Sequence, residues 1–253
     1  MDTSLLTTKL QIPPRTHHEV RRKRLTDAIE SGMRHYTLVL LSAPAGYGKT
    51  TLLAQWAHTS DLPVAWLSLS TEDNVLERFL RYLLAAWETA RPGVQESKLG
   101  LLLGSPAPDS DAVLAAFINL ASDVPDHTVF VLDDYHLVED PAIHQAMTFL
   151  LDHVPPTLHF VLAGRVEPPL PLARYRASHA LWELRAADLH FSLEETGDFF
   201  RRRMQLHLSA EELVALQTRL EGWIAGLQLV ALSRQHHLAP VDPGVVSGSH
   251  RFI

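Results

Sequence analysis

The chain alternates between two kinds of hydrophobic pattern. Short, almost uninterrupted apolar runs, rich in Val, Leu, Phe or Trp, occupy residues 37–42, 64–69, 128–132 and 158–163. A run that is apolar at every position suits a strand covered on both faces, as in a parallel sheet. Between these runs, apolar residues recur at spacings of three and four, which places them on one face of a helix. In residues 74–89 the stripe is Leu76, Phe79, Leu80, Leu83, Leu84 and Trp87, with Asn74 placed as an N-cap and Glu77 three residues on. Residues 111–121 and 142–153 read as two more helices, and 51–58 as another with Leu52, Leu53 and Trp56 on one side. Strands alternating with helices predict βαβ units, so the expected fold class is α/β with a parallel, doubly wound sheet and flanking helices.

The two ends depart from this pattern. The first twenty residues, with Pro13-Pro14, lack periodicity and read as an extended arm leading into a helix over 20–33. The basic run Arg21-Arg22-Lys23-Arg24 on that helix reads as a solvated face. After residue 163 the prolines 168, 169 and 171 mark a loop, and 181–184 supply a last strand. Helices then take over. Ser192-Leu193-Glu194-Glu195 and Ser209-Ala210-Glu211-Glu212 both fit the capping box, in which the Ser hydroxyl and the Glu carboxylate each satisfy a backbone donor. Residues 222–235 continue as an apolar helix, and the tail carries Pro240, Pro243, Gly244 and Gly248. The expected organisation is an arm and helix over 1–35, a sheet domain over 36–188, a small helical domain over 189–237 and a tail over 238–253.

Composition narrows the chemistry. With 22 Lys+Arg against 29 Asp+Glu the net charge is −7, which leaves no footprint for binding a phosphate backbone. The absence of Cys excludes a disulfide scaffold, a Cys-ligated metal and a cysteine nucleophile, and suits a reducing cytoplasm. No run approaches 18 apolar residues and the first residues begin no signal peptide, so the expected location is cytoplasmic. Of the 15 His, none forms a His-Glu-x-x-His pattern, and the pairs His17-His18 and His236-His237 point successive side chains in different directions. They read as surface and packing residues, and no histidine metal site is expected.

The chemistry concentrates at Ala43-Pro44-Ala45-Gly46-Tyr47-Gly48-Lys49-Thr50, which joins an apolar strand to a helix. This is the frame of a phosphate-binding loop, with Ala43 where the pattern has its first Gly. Gly46 and Gly48 let the backbone N–H groups wrap around phosphate oxygens, Lys49 supplies a point charge, Thr50 a hydroxyl for Mg²⁺, and the helix start its positive dipole end. Residues 128–132 end in Asp133-Asp134, as a Walker B strand does. Asp133 would engage Mg²⁺ through its water shell, and Asp134 would polarise an attacking water near the γ-phosphate. Arg165 follows another strand on the same edge, where it would either read the γ-phosphate or pair with a surface carboxylate.

Several segments together resemble the N-terminal ATPase domain of MalT-like regulators of the LuxR family, which are signal-transducing P-loop ATPases of the STAND group. They are Thr8-Lys9-Leu10 with Pro13-Pro14, Ala45-Gly46-Tyr47-Gly48-Lys49-Thr50-Thr51-Leu52, Leu132-Asp133-Asp134-Tyr135-His136, Gly164-Arg165 through Pro168 to Arg174, Leu184-Arg185-Ala186-Ala187-Asp188-Leu189, and Glu221-Gly222-Trp223-Ile224-Ala225-Gly226-Leu227. The resemblance implies an AAA-like P-loop NTPase sheet followed by a small helical domain. It implies ATP and ADP as ligands with Mg²⁺, a nucleotide loop over Ala45, Gly46, Tyr47, Gly48, Lys49, Thr50 and Thr51, Mg²⁺ at Thr50 and Asp133, and hydrolysis by Asp134 with Arg165 as sensor. The arm around Pro13 and Arg15 looks like the part that covers adenine. Where many STAND relatives have Gly-x-Pro, this chain has Gly226-Leu227-Gln228.

The function so implied is a regulatory switch: ADP holds a resting form, ATP and inducer favour a self-associating form, and hydrolysis is slow. Family members continue into a winged-helix segment, a helical-repeat sensor and a helix-turn-helix, and residues 249–253 fall where the winged-helix part would begin. The chain is therefore expected to be either a truncated product or a separated ATPase module, one that meets inducer and DNA only through other domains. The alternative is a P-loop ATPase whose purpose is turnover, for which Arg174, Arg176, Arg185 and Arg201-Arg202-Arg203 are candidate fingers acting in trans.

Overall fold

The computed structural model describes residues 5–15 and 19–235. After a single 3₁₀ turn at Thr7–Leu10, helix α1 (Lys23–Met33) leads into β1 (Leu38–Ser42), α2 (Lys49–Ala57) and β2 (Val64–Ser68). Then come α3 (Leu76–Ala90), α4 (Lys98–Leu103), α5 (Ser110–Asp123), β3 (Thr128–Asp133), α6 (Pro141–His153), β4 (Leu158–Gly164), α7 (Leu172–Ala177) and β5 (Leu181–Arg185). Helices α8 (Leu193–Asp198), α9 (Ala210–Leu220) and α10 (Ile224–Gln235) complete the described chain, with a π-helical turn at Phe199–Arg203.

The five strands form one parallel sheet in the order β2-β3-β4-β1-β5. Alternation along the strands divides the core into two layers. Leu38, Leu40, Phe130, Leu132, Phe160 and Leu162 face one side, packed under α3, α5 and α6. Val39, Leu41, Val129, Val131, Val161 and Ala163 face the other, under α1 and α2. The register sets Ser42 opposite both Gly164 and Arg185, and Ser68 opposite Asp133, so the strands end together on one edge. Each βα connection therefore delivers its first residues to the same rim, with β1 between β4 and β5.

The helical end has a core of its own, built from Phe191, Phe199, Phe200, Leu216, Leu220, Leu227 and Val230 together with Val20 from the arm. Both predicted capping boxes form: Ser192 Oγ accepts from Glu195 N and Ser209 Oγ from Glu212 N, while each Glu carboxylate accepts from its Ser backbone N–H. The last helix begins at Ile224 rather than at residue 222, because Glu221 and Gly222 are left-handed. A Cβ on Gly222 would lie 2.2 Å from the Phe191 carbonyl oxygen, so that close approach requires glycine.

Other expectations are corrected in detail. Helix α2 starts at Lys49, two residues earlier than the periodicity placed it. Asn74 does not cap α3; its amide donates to Leu137 O and accepts from Glu139 N and Asp140 N, so a long-range partner displaces the local cap. Glu77 pairs with Arg81 instead. Helix α4 was not read from the pattern, since six residues are too few to display a period. The basic run is not a solvated face throughout: Arg22 is 3% exposed and donates to Leu189 O, His190 O and the Glu195 carboxylate. The pairs His17-His18 and His236-His237 and the tail over 238–253 lie outside the described residues. Among the described residues no helix is long and apolar enough to cross a membrane.

Candidate functional site

The loop between β1 and α2 leaves the rim from the strand that lies between β4 and β5. Ala43, in place of the first Gly of the pattern, is buried and donates its N–H to Gly164 O, closing the loop against β4. Gly46 and Gly48 are left-handed at φ 83° and 75°, a backbone that L side chains rarely adopt. Lys49 is 8% exposed, and its Nζ donates to Ala43 O at 2.6 Å and Pro44 O at 3.0 Å. Burial pulls the Lys49 ammonium below the usual lysine range, against the opposing pull of Asp133 and Asp134. Ala45, Tyr47, Thr50 and Thr51 lie on the same loop and the first turn of α2; the Tyr47 ring turns away to stack on His190 at 5.6 Å.

The acidic half comes from β3. Thr50 Oγ1 donates to Asp133 Oδ2 at 2.8 Å, and Asp133 is 2% exposed. Burial, with the neighbouring Asp134 charge, pushes the Asp133 carboxyl up to about 6 despite the Thr50 hydrogen bond. Asp134 is left-handed at φ 57° and half-exposed, which turns its carboxylate out of the strand line toward the rim. Arg165, the first residue after β4, is exposed; burial lowers the pKa of His136, with the Asp134 charge opposing and the Arg165 and Lys49 charges adding to the shift.

His136 carried no role in the sequence reading. Its Nδ1 lies 3.8 Å from Asp134 Oδ1, and both ring nitrogens are buried without a hydrogen-bond partner. Buried polar atoms are normally satisfied, so this ring faces a place that a polar ligand or water would fill. Its position two residues after Asp134 is the signal that points to it. Behind it, Tyr135 Oη is held by His144 Nδ1 at 3.1 Å, which fixes the turn.

Beside α2 lies a cavity of about 190 Å³. Gly48, Thr50 and Thr51 form its floor, Pro13, Pro14 and Val20 one wall, Phe191, Phe199 and Ile224 the other, and Arg203 and Gln228 reach its polar rim. Pro13 lines this cavity, whereas Arg15 pairs with Glu19 and is not among its lining residues. Gln55 fixes the Val20 wall: its amide donates to Val20 O at 2.7 Å and accepts from Arg22 N at 3.2 Å. The start of α10 covers the loop, with Ala225 N donating to Gly46 O and Ile224 Cδ1 filling the space a Cβ on Gly48 would need. A larger open groove of about 820 Å³ on α6 contains none of these loop residues.

The arginines that spacing left equivalent now separate. Arg174 Nη2 donates to both carboxylate oxygens of Asp152, Arg176 and Arg185 share Glu167 and Glu183, and Arg201 and Arg202 meet Asp198. Arg203 turns toward the cavity in its own chain.

A loop of backbone donors, a buried ammonium, a hydroxyl beside a buried carboxylate and a second carboxylate meet on one sheet edge, a set of groups with the chemistry to hold a phosphorylated ligand. The chain belongs to the AAA ATPase domain family, whose sequence profile matches residues 18–163, and its fold is an α/β parallel sheet with flanking helices of the P-loop NTPase kind. It is 39% identical over 230 residues to the HTH-type transcriptional regulator MalT of Yersinia enterocolitica and 38% identical over 230 residues to that of Serratia proteamaculans. Each alignment covers 90% of this chain and 25% of the relative, so the chain spans about a quarter of their length. In fold it is similar to a solved STAND protein with a tetratricopeptide repeat sensor from Pyrococcus horikoshii, with a TM-score of 0.60 and 16% identity over 86% of this chain and 30% of that one. Membership of the ATPase family makes nucleotide binding the general property of the site.

Proposed function

We propose that the chain is the ATP/ADP-binding switch module of a cytoplasmic, MalT-like transcriptional regulator, with slow Mg²⁺-dependent hydrolysis. The observation that carries this reading is the joining of Thr50 to Asp133 beside Lys49, under a cover made by Ile224 and Ala225. The phosphate chain lies along the N–H groups of residues 45–51, and Lys49 exchanges its two carbonyl acceptors for phosphate oxygens. The residues fit Mg²⁺: a buried carboxylate whose pKa is raised is a charge awaiting a cation, and the Thr50 hydroxyl stands beside it. When bound, Mg²⁺ neutralises charge on the phosphates.

In hydrolysis, Asp134 accepts a proton from the attacking water as its oxygen bonds to the γ-phosphorus and the bond to the β-γ bridging oxygen breaks. His136 orients Asp134, and Arg165 stabilises the γ-phosphoryl charge. The base occupies the 190 Å³ cavity. Residues 36–188 form the nucleotide-binding unit, and residues 189–237 the helical unit that reports which nucleotide is present. Self-association belongs to the ATP form, and inducer and DNA act through parts of the regulator other than these residues. A switch must bind its two states unequally, and the cover at Gly46 is the contact that differs between them.

Identification of the nucleotide released from freshly purified protein tests this reading. Retained ADP with low turnover is expected. Empty protein with rapid multiple turnover would make turnover itself the purpose.

A further inference from the structure

The segment Thr8-Lys9-Leu10 is absorbed by none of the chemistry above, yet Lys9 is among the most heavily bonded residues of the arm. Its Nζ donates to Asp73 Oδ2 at 2.6 Å and to Ser70 Oγ, and lies over the Tyr82 ring at 5.2 Å. Asp73 is 0% exposed and also accepts from Arg78 Nε and Ser70 N. A fully buried carboxylate with two cationic partners is a fixed point, not a fluctuating surface pair. Its place is informative. Ser70 follows Leu69, whose N–H donates to Asp133 O, so the anchor sits one strand over from the acidic half of the site.

From that anchor the arm runs to the opposite side of the rim. Leu5 and Leu10 pack against one core layer and Ile12 against the other, so the chain passes over the sheet edge between them. Pro13 O then accepts from His58 Nε2 at 2.9 Å at the end of α2, and Pro13 and Pro14 enter the cavity wall. The wall is a strap tied by hydrogen bonds at Lys9 and at Pro13 and packed between them through Leu10 and Ile12.

We propose that Lys9 is a positioning residue for the nucleotide base: its bond to Asp73 holds the strap that presents Pro13 and Pro14 to the cavity, without touching the phosphate loop. This rests on the nucleotide reading above and adds to it a division of labour between base and phosphates. Preordering a wall lowers the cost of binding whatever leans on it, so releasing Lys9 weakens ligands that carry a base and spares those that do not.

The test compares ATP, ADP and inorganic tripolyphosphate by calorimetry on the wild-type chain and on Lys9→Ala, Lys9→Arg and His58→Ala. Expected is an about tenfold loss of ATP and ADP affinity in Lys9→Ala, tripolyphosphate binding within about twofold of wild type, recovery in Lys9→Arg and a loss in the same direction in His58→Ala. His58 is exposed, so its variant folds even where Lys9→Ala does not, and the same split between ATP and tripolyphosphate decides. Unchanged ATP affinity in folded Lys9→Ala, or an equal loss for tripolyphosphate, overturns the proposal while leaving the nucleotide site standing. Failure of the wild-type chain to bind ATP overturns both.

Discussion

Thr50 and Asp133, 83 residues apart in the chain, are joined by a hydrogen bond of 2.8 Å at the rim of the sheet. The bond binds the end of the glycine loop to the end of β3 and holds a carboxylate whose burial outweighs the opposing pull of Lys49. That cost has a measurable sign. The folded carboxyl titrates at about 6 against an ordinary 3.8, so the native state holds the proton more tightly than the unfolded chain. The group's contribution to stability is full below about pH 4 and is lost as pH rises through about 6. Asp133→Asn is expected to stabilise the ligand-free protein by on the order of 1–3 kcal/mol at pH 7.5 and to add nothing at pH 4, as read by urea unfolding at both.

Lys49→Ala removes the only cation buried in the glycine loop. Of its two acceptors, Pro44 lies on the exposed loop, where water takes over, while Ala43 is buried and loses its donor. Nucleotide affinity falls roughly tenfold to a hundredfold, as expected for charge-assisted bonds to phosphate, with a loss of about 1 kcal/mol in stability from the unpaired acceptor. Calorimetric titration beside a thermal scan checks both parts; equal affinity of variant and wild type would remove the site assignment.

Asp134→Asn separates binding from hydrolysis. Asn tolerates the left-handed backbone that Asp134 adopts, so the fold persists. The amide cannot accept the water proton, and single-turnover hydrolysis slows by about a hundredfold or more while ATP affinity stays within a few-fold. A variant that hydrolyses at the wild-type rate would strip Asp134 of its role.

Arg22→Ala leaves the carbonyls of Leu189 and His190 and the Glu195 carboxylate without their buried donor. A loss of about 2–4 kcal/mol is expected in chemical unfolding. Arg22→Lys does not restore it, because one ammonium cannot replace a fork that reaches three acceptors. Full stability in the lysine variant would show that charge alone suffices.

The residues that the sequence made legible share a property: their chemistry is local. Gly46, Gly48 and Lys49 lie in one loop, and Asp133 ends an apolar run that announces a strand. The capping boxes are legible for the same reason, since each closes within three residues. Arg22, Asn74, Gln55 and Lys9 were misread or passed over because their partners lie 33 to 173 residues away. A run of four basic residues looks like surface until the fold brings Leu189 to one of them. His136 is a middle case: its place beside Asp134 is visible in the sequence, but its two unpartnered nitrogens are visible only in three dimensions.

Val20 and Arg22 belong to three things at once: the cavity wall, the bond to Gln55 on α2 and the packing of the helical bundle. Lifting α10 from Gly46 therefore drags on the same short stretch that lines the cavity. In the proposed switch, entry of a ligand and tilting of the bundle are coupled through this stretch, so slower opening of the bundle is expected to lengthen the residence of a bound nucleotide.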